Sequence, residues 1–237
     1  MPTSLFEQYN ARYQAALVKD QLTLDDLKSS RSLFEDDSLE TKLPIPKKLD
    51  VVCIVCGLPL PESIINQIES RTSHLSGFLP LGNMYLVKQY NLAIELLVLK
   101  WPEECLNKSL EDSIVKYLET ANYLEAVSFE SNGLQFHDDG ALIYRCIDVN
   151  NSFRRLRKQL INLFPAIPSK QSNWAHIPIG RLLKPINSCE LTQLKLYCNE
   201  TQEPKFDLKF ECDNLKLIHE KRWYQEEREQ IYMRTLK

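Results

Sequence analysis

The chain has 237 residues, a formal net charge of −3, and the apolar and charged fractions of an ordinary globular protein. That length suits one large domain or two small lobes sharing a core. The weakly negative charge argues against a duplex-DNA binder, which would carry a basic stripe. The longest apolar runs are interrupted by charges too soon for a membrane span.

"MPTSLFEQYNARYQ" opens the chain without the continuous apolar stretch of a signal peptide, so the expected location is the cytoplasm. From Leu5 onward, Leu5, Phe6, Tyr9, Tyr13, Ala16 and Leu17 recur at helical spacing, with Ser4 as the cap. A polar, proline-punctuated stretch to Lys48 then reads as a surface wrap. Residues 1–48 are thus expected as an N-terminal helical extension and wrapping segment, and residues 49–237 as the main domain. "LDVVCIVCGL" reads as a buried strand. It contains Cys53 and Cys56, but residues three apart on a strand face opposite ways, which disfavours a redox or zinc pair. The seven cysteines, an odd number, are read as reduced thiols.

After Pro61 comes a helix with Ile64, Ile65 and Ile68 on one face. "NLAIELLVLKW" is a second apolar strand. Ser109 and Asp112 suggest a box-like start to a helix over "SLEDSIVKYLETA". "LEAVSFES", "GLQFH" and "ALIYRCID" read as three strands, the last two joined by the turn "DDG". "NSFRRLRKQLINLF" is an amphipathic helix with Phe153, Leu156, Leu160 and Leu163 inward and Arg154, Arg155, Arg157 and Lys158 on its outer face. "WAHIPIGRLL" is a strand and "CELTQLKLYC" a helix. A strand hairpin turning at Asp213-Asn214 closes the chain. The class is α+β or mixed α/β, because strands and helices alternate irregularly.

This order of pieces, from about Leu49 to Tyr224, resembles the 2H phosphoesterase superfamily, which includes 2'-5' RNA ligase-like proteins and cyclic phosphodiesterases. "VVCIVCGLPLPESIINQI" looks like the family's opening strand and helix. "HIPIGRLL" looks like its second signature, and "LKLIHEKRW" like its final strand. The resemblance implies an α+β fold of two pseudo-symmetric lobes around a cleft, each lobe supplying a histidine-x-threonine strand. On a strand, residues i and i+2 face one side. The histidine can move a proton while the hydroxyl holds a phosphate oxygen, a scheme that needs no metal or cofactor. Here the second signature keeps His176 but has Pro178 in place of the hydroxyl. The first aligns on "YNLAIELLVL", with Asn91 at the histidine position and Ala93 at the hydroxyl position. Asparagine hydrogen-bonds but does not shuttle protons near neutral pH. An acid–base group is worth about 10²–10⁴ in rate, so the two-histidine reaction should be crippled or absent.

His176 is the residue expected to be catalytic if the chain is an enzyme; otherwise it is a packed strand histidine. Asn91, Glu95, Arg181, Tyr90 and Trp174 are the expected substrate contacts. Period two puts Glu95 on the Asn91 face, where it could act as a substitute acid or simply meet an arginine. Arg181 needs a bulge at Gly180 to share a face with His176. Tyr85, Tyr90 and Trp174 could stack on a base or lie in the core. His137, beside "DDG", is expected to be a solvent-exposed hairpin residue. His74 is expected to cap a helix end, and His219 to be structural. Three functions remain open. The first is a divergent cleft binding a nucleotide or an RNA-end phosphate without the standard turnover. The second is an active phosphodiesterase pairing His176 with an unorthodox partner. The third is a protein-interaction module. A polar cleft favours a ligand, and an apolar, filled one favours a protein partner.

Overall fold

The computed structural model describes residues 5–80, 82–121, 124–172, 174–204 and 207–237, excluding the side chains of residues 5–9 and 132. The expected cap Ser4, and the side chains of Leu5, Phe6 and Tyr9, lie outside what is described. Helices α1 (Leu5–Leu17) and α2 (Lys28–Arg31) precede strand β1 (Lys48–Cys56) and helix α3 (Glu62–Ser73). Strands β2 (Met84–Leu86) and β3 (Ile94–Lys100), helix α4 (Lys108–Thr120), strands β4 (Val127–Phe136) and β5 (Ala141–Asp148) and helix α5 (Ser152–Leu163) follow. The chain ends with β6 (Ala175–Leu182), α6 (Ser188–Glu200), β7 (Leu208–Cys212), β8 (Asn214–Arg222) and β9 (Glu227–Thr235).

The strands form two antiparallel sheets, ordered β3-β1-β8-β9 and β2-β6-β5-β4-β7, giving the α+β class. Alternation along each strand explains how the sheets bury themselves. On β1, Val52, Ile54 and Cys56 join the main core, while Val51, Cys53 and Val55 join a separate small cluster with Ala93, Val98 and Ile218. Cys53 and Cys56 therefore face opposite ways, as expected; burial pushes both thiols well above their ordinary pKa. On β5 and β6, Leu142, Tyr144, Ile177 and Ile179 enter the main core. Ile143, Arg145, His176 and Pro178 point to the other side. Helix α5 packs against β3, β4 and β5, and α6 against β4. Each fully buried Ile or Leu on these faces contributes about 1.5–3 kcal/mol.

The N-terminal segment is more deeply embedded than a surface wrap. Leu22, Leu27, Phe34 and Leu39 are buried in the main core, and Leu22 and Phe34 make backbone bridges to Ile186 and Pro46. Tyr13 packs edge-on against Phe136.

Several local expectations are corrected. The two strands expected over "LEAVSFES" and "GLQFH" are one strand, β4, with a register shift between Ser131 and Leu134. Gly133 sits there at φ 82°, and a Cβ would lie 2.5 Å from the Thr201 carbonyl oxygen, so the glycine marks a bulge and a close approach. Helix α4 begins at Lys108 and is capped by Asn107, whose side chain accepts from the Leu110 N–H, not by Ser109. On α5, Leu163 is exposed and Arg157 is buried, the reverse of expectation. The closing hairpin is β8–β9. At Asp213 the chain changes sheets, because β7 pairs with β4 while β8 pairs with β1.

Candidate functional site

Polar side chains of the two sheets, Glu95 from one and His176 from the other, meet around Arg157. Strands β3 and β6 touch, and one side chain ties them together. Arg157, from α5, donates from Nε to the Leu96 carbonyl (2.6 Å) and from Nη2 to the carbonyls of Glu95 (2.8 Å) and Trp174 (3.0 Å). The register of β3 on β1 shifts at this point, with Leu96 as the extra residue. The guanidinium therefore serves carbonyls at a bulge on an edge strand and joins them to the start of the His176 strand. Arg157 also lies 4.7 Å from the Phe153 ring centroid. The expectation that it belongs to a solvated basic face is overturned.

On the four-stranded sheet, β3 begins at Ile94, and Asn91 ends a 3-10 turn before it. Ala93 stands just before β3 and Glu95 is its second residue, so these two also have the motif spacing, one step along from Asn91 and Ala93. Ala93 belongs to the small inner cluster. Burial raises the pKa of Glu95, partly offset by Arg157. Glu220 lies on the same face and is pushed up to about 7, chiefly by burial and also by Glu95. Both carboxyls act on the thiol of Cys53, which lies on the strand between them. Glu220 accepts from the Gln225 N–H at 2.9 Å. Arg228 donates to the Asn91 side-chain oxygen (2.6 Å) and to the Gln225 carbonyl (2.7 Å).

The inner face of the five-stranded sheet carries Gln135 and His137 from β4 and its turn, Arg145 from β5, and His176, Pro178 and Arg181 from β6. His176 pairs across the strands with Arg145 and Pro178 with Ile143. The register then shifts by one residue, so that Gly180 opposes Leu142. This is the bulge that Arg181 required to share the His176 side. Arg181 is held there at two of its nitrogens. Its Nε donates to the Tyr224 hydroxyl (2.8 Å), and its Nη1 reaches Ser30 Oγ (3.2 Å) and the Asp139 carboxylate (3.4 Å). Tyr224 links the two walls, since its backbone N–H also supports Glu220.

His137 is not a solvent-exposed hairpin residue. It is 5% exposed, because the hairpin curls under α1, where Arg12 meets Asp139 at 2.8 Å. Burial lowers both His137 and His176 to about 4, and for His176 the nearby His137 adds to the effect. Both imidazoles are neutral at pH 7. From α1, Asn10 accepts from Arg145 Nη1 at 2.8 Å.

Among the aromatic residues, Tyr90 is 63% exposed. Trp174 is half-buried and contributes its carbonyl to Arg157. Tyr85 is a core residue packed between Phe34 and Tyr224. His74 donates from Nδ1 to the Ser70 carbonyl at the end of α3, and His219 contacts Asp50, as structural roles require. Among the described residues, no group of three His, Cys, Asp or Glu side chains is placed to hold a metal ion, and no helix is long and apolar enough to cross a membrane. Sequence reasoning missed Glu220, Arg228, Gln135, Arg145 and the inward turn of Arg157. Only their placement by the sheets shows them.

Solved structures share this fold. A protein of Thermus thermophilus is similar at 14% identity and TM-score 0.53, over 78% of this chain and 97% of that one. E. coli LigT in its apo form is similar at 12% identity and TM-score 0.54, over 80% and 99%. A structure described as a phosphoesterase is similar at 10% identity and TM-score 0.51, over 79% and 98%. The chain has a 2H phosphoesterase-like fold. No family model matches the sequence, and no curated protein does either. At these identities the likeness concerns the fold, and the site must be judged on its own residues. Residues with motif spacing here are Ala93, just before β3, with Glu95 on it, and His176 with Pro178 on β6.

Proposed function

We propose that the cleft binds a nucleotide or the phosphate end of an RNA, and that it lacks the two-histidine turnover of an active phosphodiesterase. The observation that carries this reading is the set of four positions just named, which offers one histidine and no hydroxyl. In-line displacement at phosphorus needs a base for the nucleophile and an acid for the leaving oxygen. His176 fills one role. Ala93 fills neither, and the absence of hydroxyl donors removes preorganised contacts to the phosphoryl oxygens. Binding is supported by the polarity of the walls: Gln135, His137, Arg145 and Asn91 are buried polar groups around a cleft, not an apolar plug. The LigT structures in complex with 3'-AMP, ATP and NADP+ give the ligand class by analogy. Within this reading, His176, Asn91, Glu95, Tyr90 and Trp174 are the ligand contacts. Arg181 shapes the wall, because its guanidinium is already held by Asp139 and Tyr224.

The test is turnover of 2',3'-cyclic nucleotides and short 2'-5'-linked RNA, alongside calorimetric binding of 3'-AMP, with His176→Ala as the comparison. Binding without turnover, weakened by His176→Ala, is expected. A second reading has its own observation: Glu220, near 7, could supply a proton at neutral pH. Robust turnover abolished by Glu220→Gln would favour this reading over the first.

A further inference from the structure

The acidic wall of the cleft needs an explanation that ligand binding alone does not supply. Glu95 on β3 and Glu220 on β8 both face inward from the four-stranded sheet, on either side of Cys53. The cations nearest to them are committed elsewhere. Arg157, which faces Glu95 from α5, spends its donors on three carbonyls. Arg228, which faces Glu220 from β9, is bonded to Asn91 and the Gln225 carbonyl. Among the described residues neither carboxylate has an ion-pair partner within 4 Å. On the opposite wall, the side-chain oxygen of Gln135, a residue 3% exposed, has no hydrogen-bond donor among the described residues. An entering ligand can bring a donor to that oxygen, and its phosphate meets two buried carboxyls whose opposing charges, Arg157 and Arg228, are already held by other groups.

We infer that an anionic ligand enters this cleft together with a proton, which the Glu95–Glu220 wall takes up. The inference rests on the reading of the cleft as an anion-binding site. A protonated carboxyl does not repel the phosphate and can donate to it, as the missing hydroxyl would have done. Of the other groups facing the pair, the two imidazoles and the thiol keep their charge state between pH 6 and 9. His176 on β6 and His137 beside β4 are depressed to about 4. The thiol of Cys53 on β1 is raised well above its ordinary range. Lys216 on β8 is lowered by burial and by Arg228, and is half-buried beside Arg228 at the same wall. Arg157 and Arg228 stay charged throughout. Glu220, pushed up to about 7, is thus the acid whose charge changes across this range, with Glu95 beside it shifted in the same direction; Lys216 is separated from them by a variant below.

The probe is 2',3'-cyclic AMP, a phosphodiester with one negative charge from pH 6 to 9, so proton uptake on binding belongs to the protein. Affinity is measured across that range by calorimetry in two buffers of different ionisation enthalpy. The expected result for the wild type is proton uptake above pH 7, with affinity falling by up to about tenfold per pH unit. Glu220→Gln should flatten the slope, and the Glu95→Gln, Glu220→Gln double variant should bind almost independently of pH. Lys216→Met should leave the slope in place, which separates the lysine from the carboxyls. Binding that is flat with pH in the wild type, or that strengthens as pH rises, overturns the inference while leaving the binding cleft intact. Absence of binding at every pH in both the wild type and the double variant overturns the cleft reading and the inference together.

Discussion

Replacing Arg157 by Met keeps most of the buried stem and removes the guanidinium that joins the two lobes. Three hydrogen bonds from a charged donor are lost, at 2.6, 2.8 and 3.0 Å. Each such bond is worth about 1.5–3 kcal/mol in isolation. The sum overstates the cost, because the freed carbonyls share one space and water can reach part of it. Breaking a buried charged network by removing one partner typically costs about 3–5 kcal/mol, and we expect that range here. For a chain of this size each kcal/mol lowers Tm by about 2–4 °C, so the expected fall is about 10 °C. Arg157→Lys should recover only part of it, since a single ammonium cannot fork between β3 and β6. The assay is thermal and urea unfolding of the two variants beside the wild type. A loss below about 1 kcal/mol for Arg157→Met would show that the arginine is an ordinary surface charge and would remove the physical link between Glu95 and His176.

Two further outcomes follow from the same geometry. His137 titrates near 4 in the folded chain, against an ordinary 6.5, so the unfolded chain binds more protons between those values. The stability tied to keeping it neutral is complete above about pH 6.5 and is lost as pH falls toward 4. At about 1.4 kcal/mol per unit this amounts to roughly 3 kcal/mol. Urea unfolding at pH 7 and pH 4.5 should show the loss, reduced in His137→Asn; equal stability at the two pH values in the wild type would contradict the burial argument. Gly180→Ala would place a Cβ 2.1 Å from the Tyr85 carbonyl oxygen, so β2 must move off β6. We expect a cost of about 1–3 kcal/mol; an unchanged unfolding midpoint would mean that the close approach of β2 is not real.

The fold was legible where the sequence pattern has a single physical meaning. Alternation over "LDVVCIVCGL" placed Cys53 and Cys56 on opposite faces, and the isoleucines of α3 marked its buried side. The Gly180 bulge was required by the separation of His176 and Arg181 before any strand was placed. The failures have specific causes. "SNG" looks like a turn, but one glycine at positive φ can also be a bulge, and only the pairing of β4 with β5 distinguishes the two. Arg157 lies in a run of four basic residues on an amphipathic helix, and composition cannot show that one of them turns inward. The sequence neighbours of His137 suggest an exposed turn, whereas its burial comes from α1, more than a hundred residues away.

The turn between β8 and β9 is the most informative of these failures. The loop has four residues, Trp223 to Glu226, between the paired Arg222 and Glu227, and positive φ in a hairpin loop usually falls on Gly, Asn or Asp. Here the positions are Tyr224 at φ 61° and Gln225 at φ 57°. Side chains at such angles cost about 1–3 kcal/mol each, and they persist only where surrounding contacts hold them. Those contacts are present. The Tyr224 ring packs against Tyr85 and Phe34, its hydroxyl accepts from Arg181, and the backbone N–H groups of both residues support Glu220. A glycine would relieve the strain but would delete the ring and hydroxyl that connect the turn to the opposite wall. The turn carries no recognisable sequence signal because its residues are set by the cleft and not by the bend. Local rules therefore failed at the one turn that holds a cleft carboxyl in place, where the chain accepts backbone strain to keep Glu220 and Arg181 on a common support.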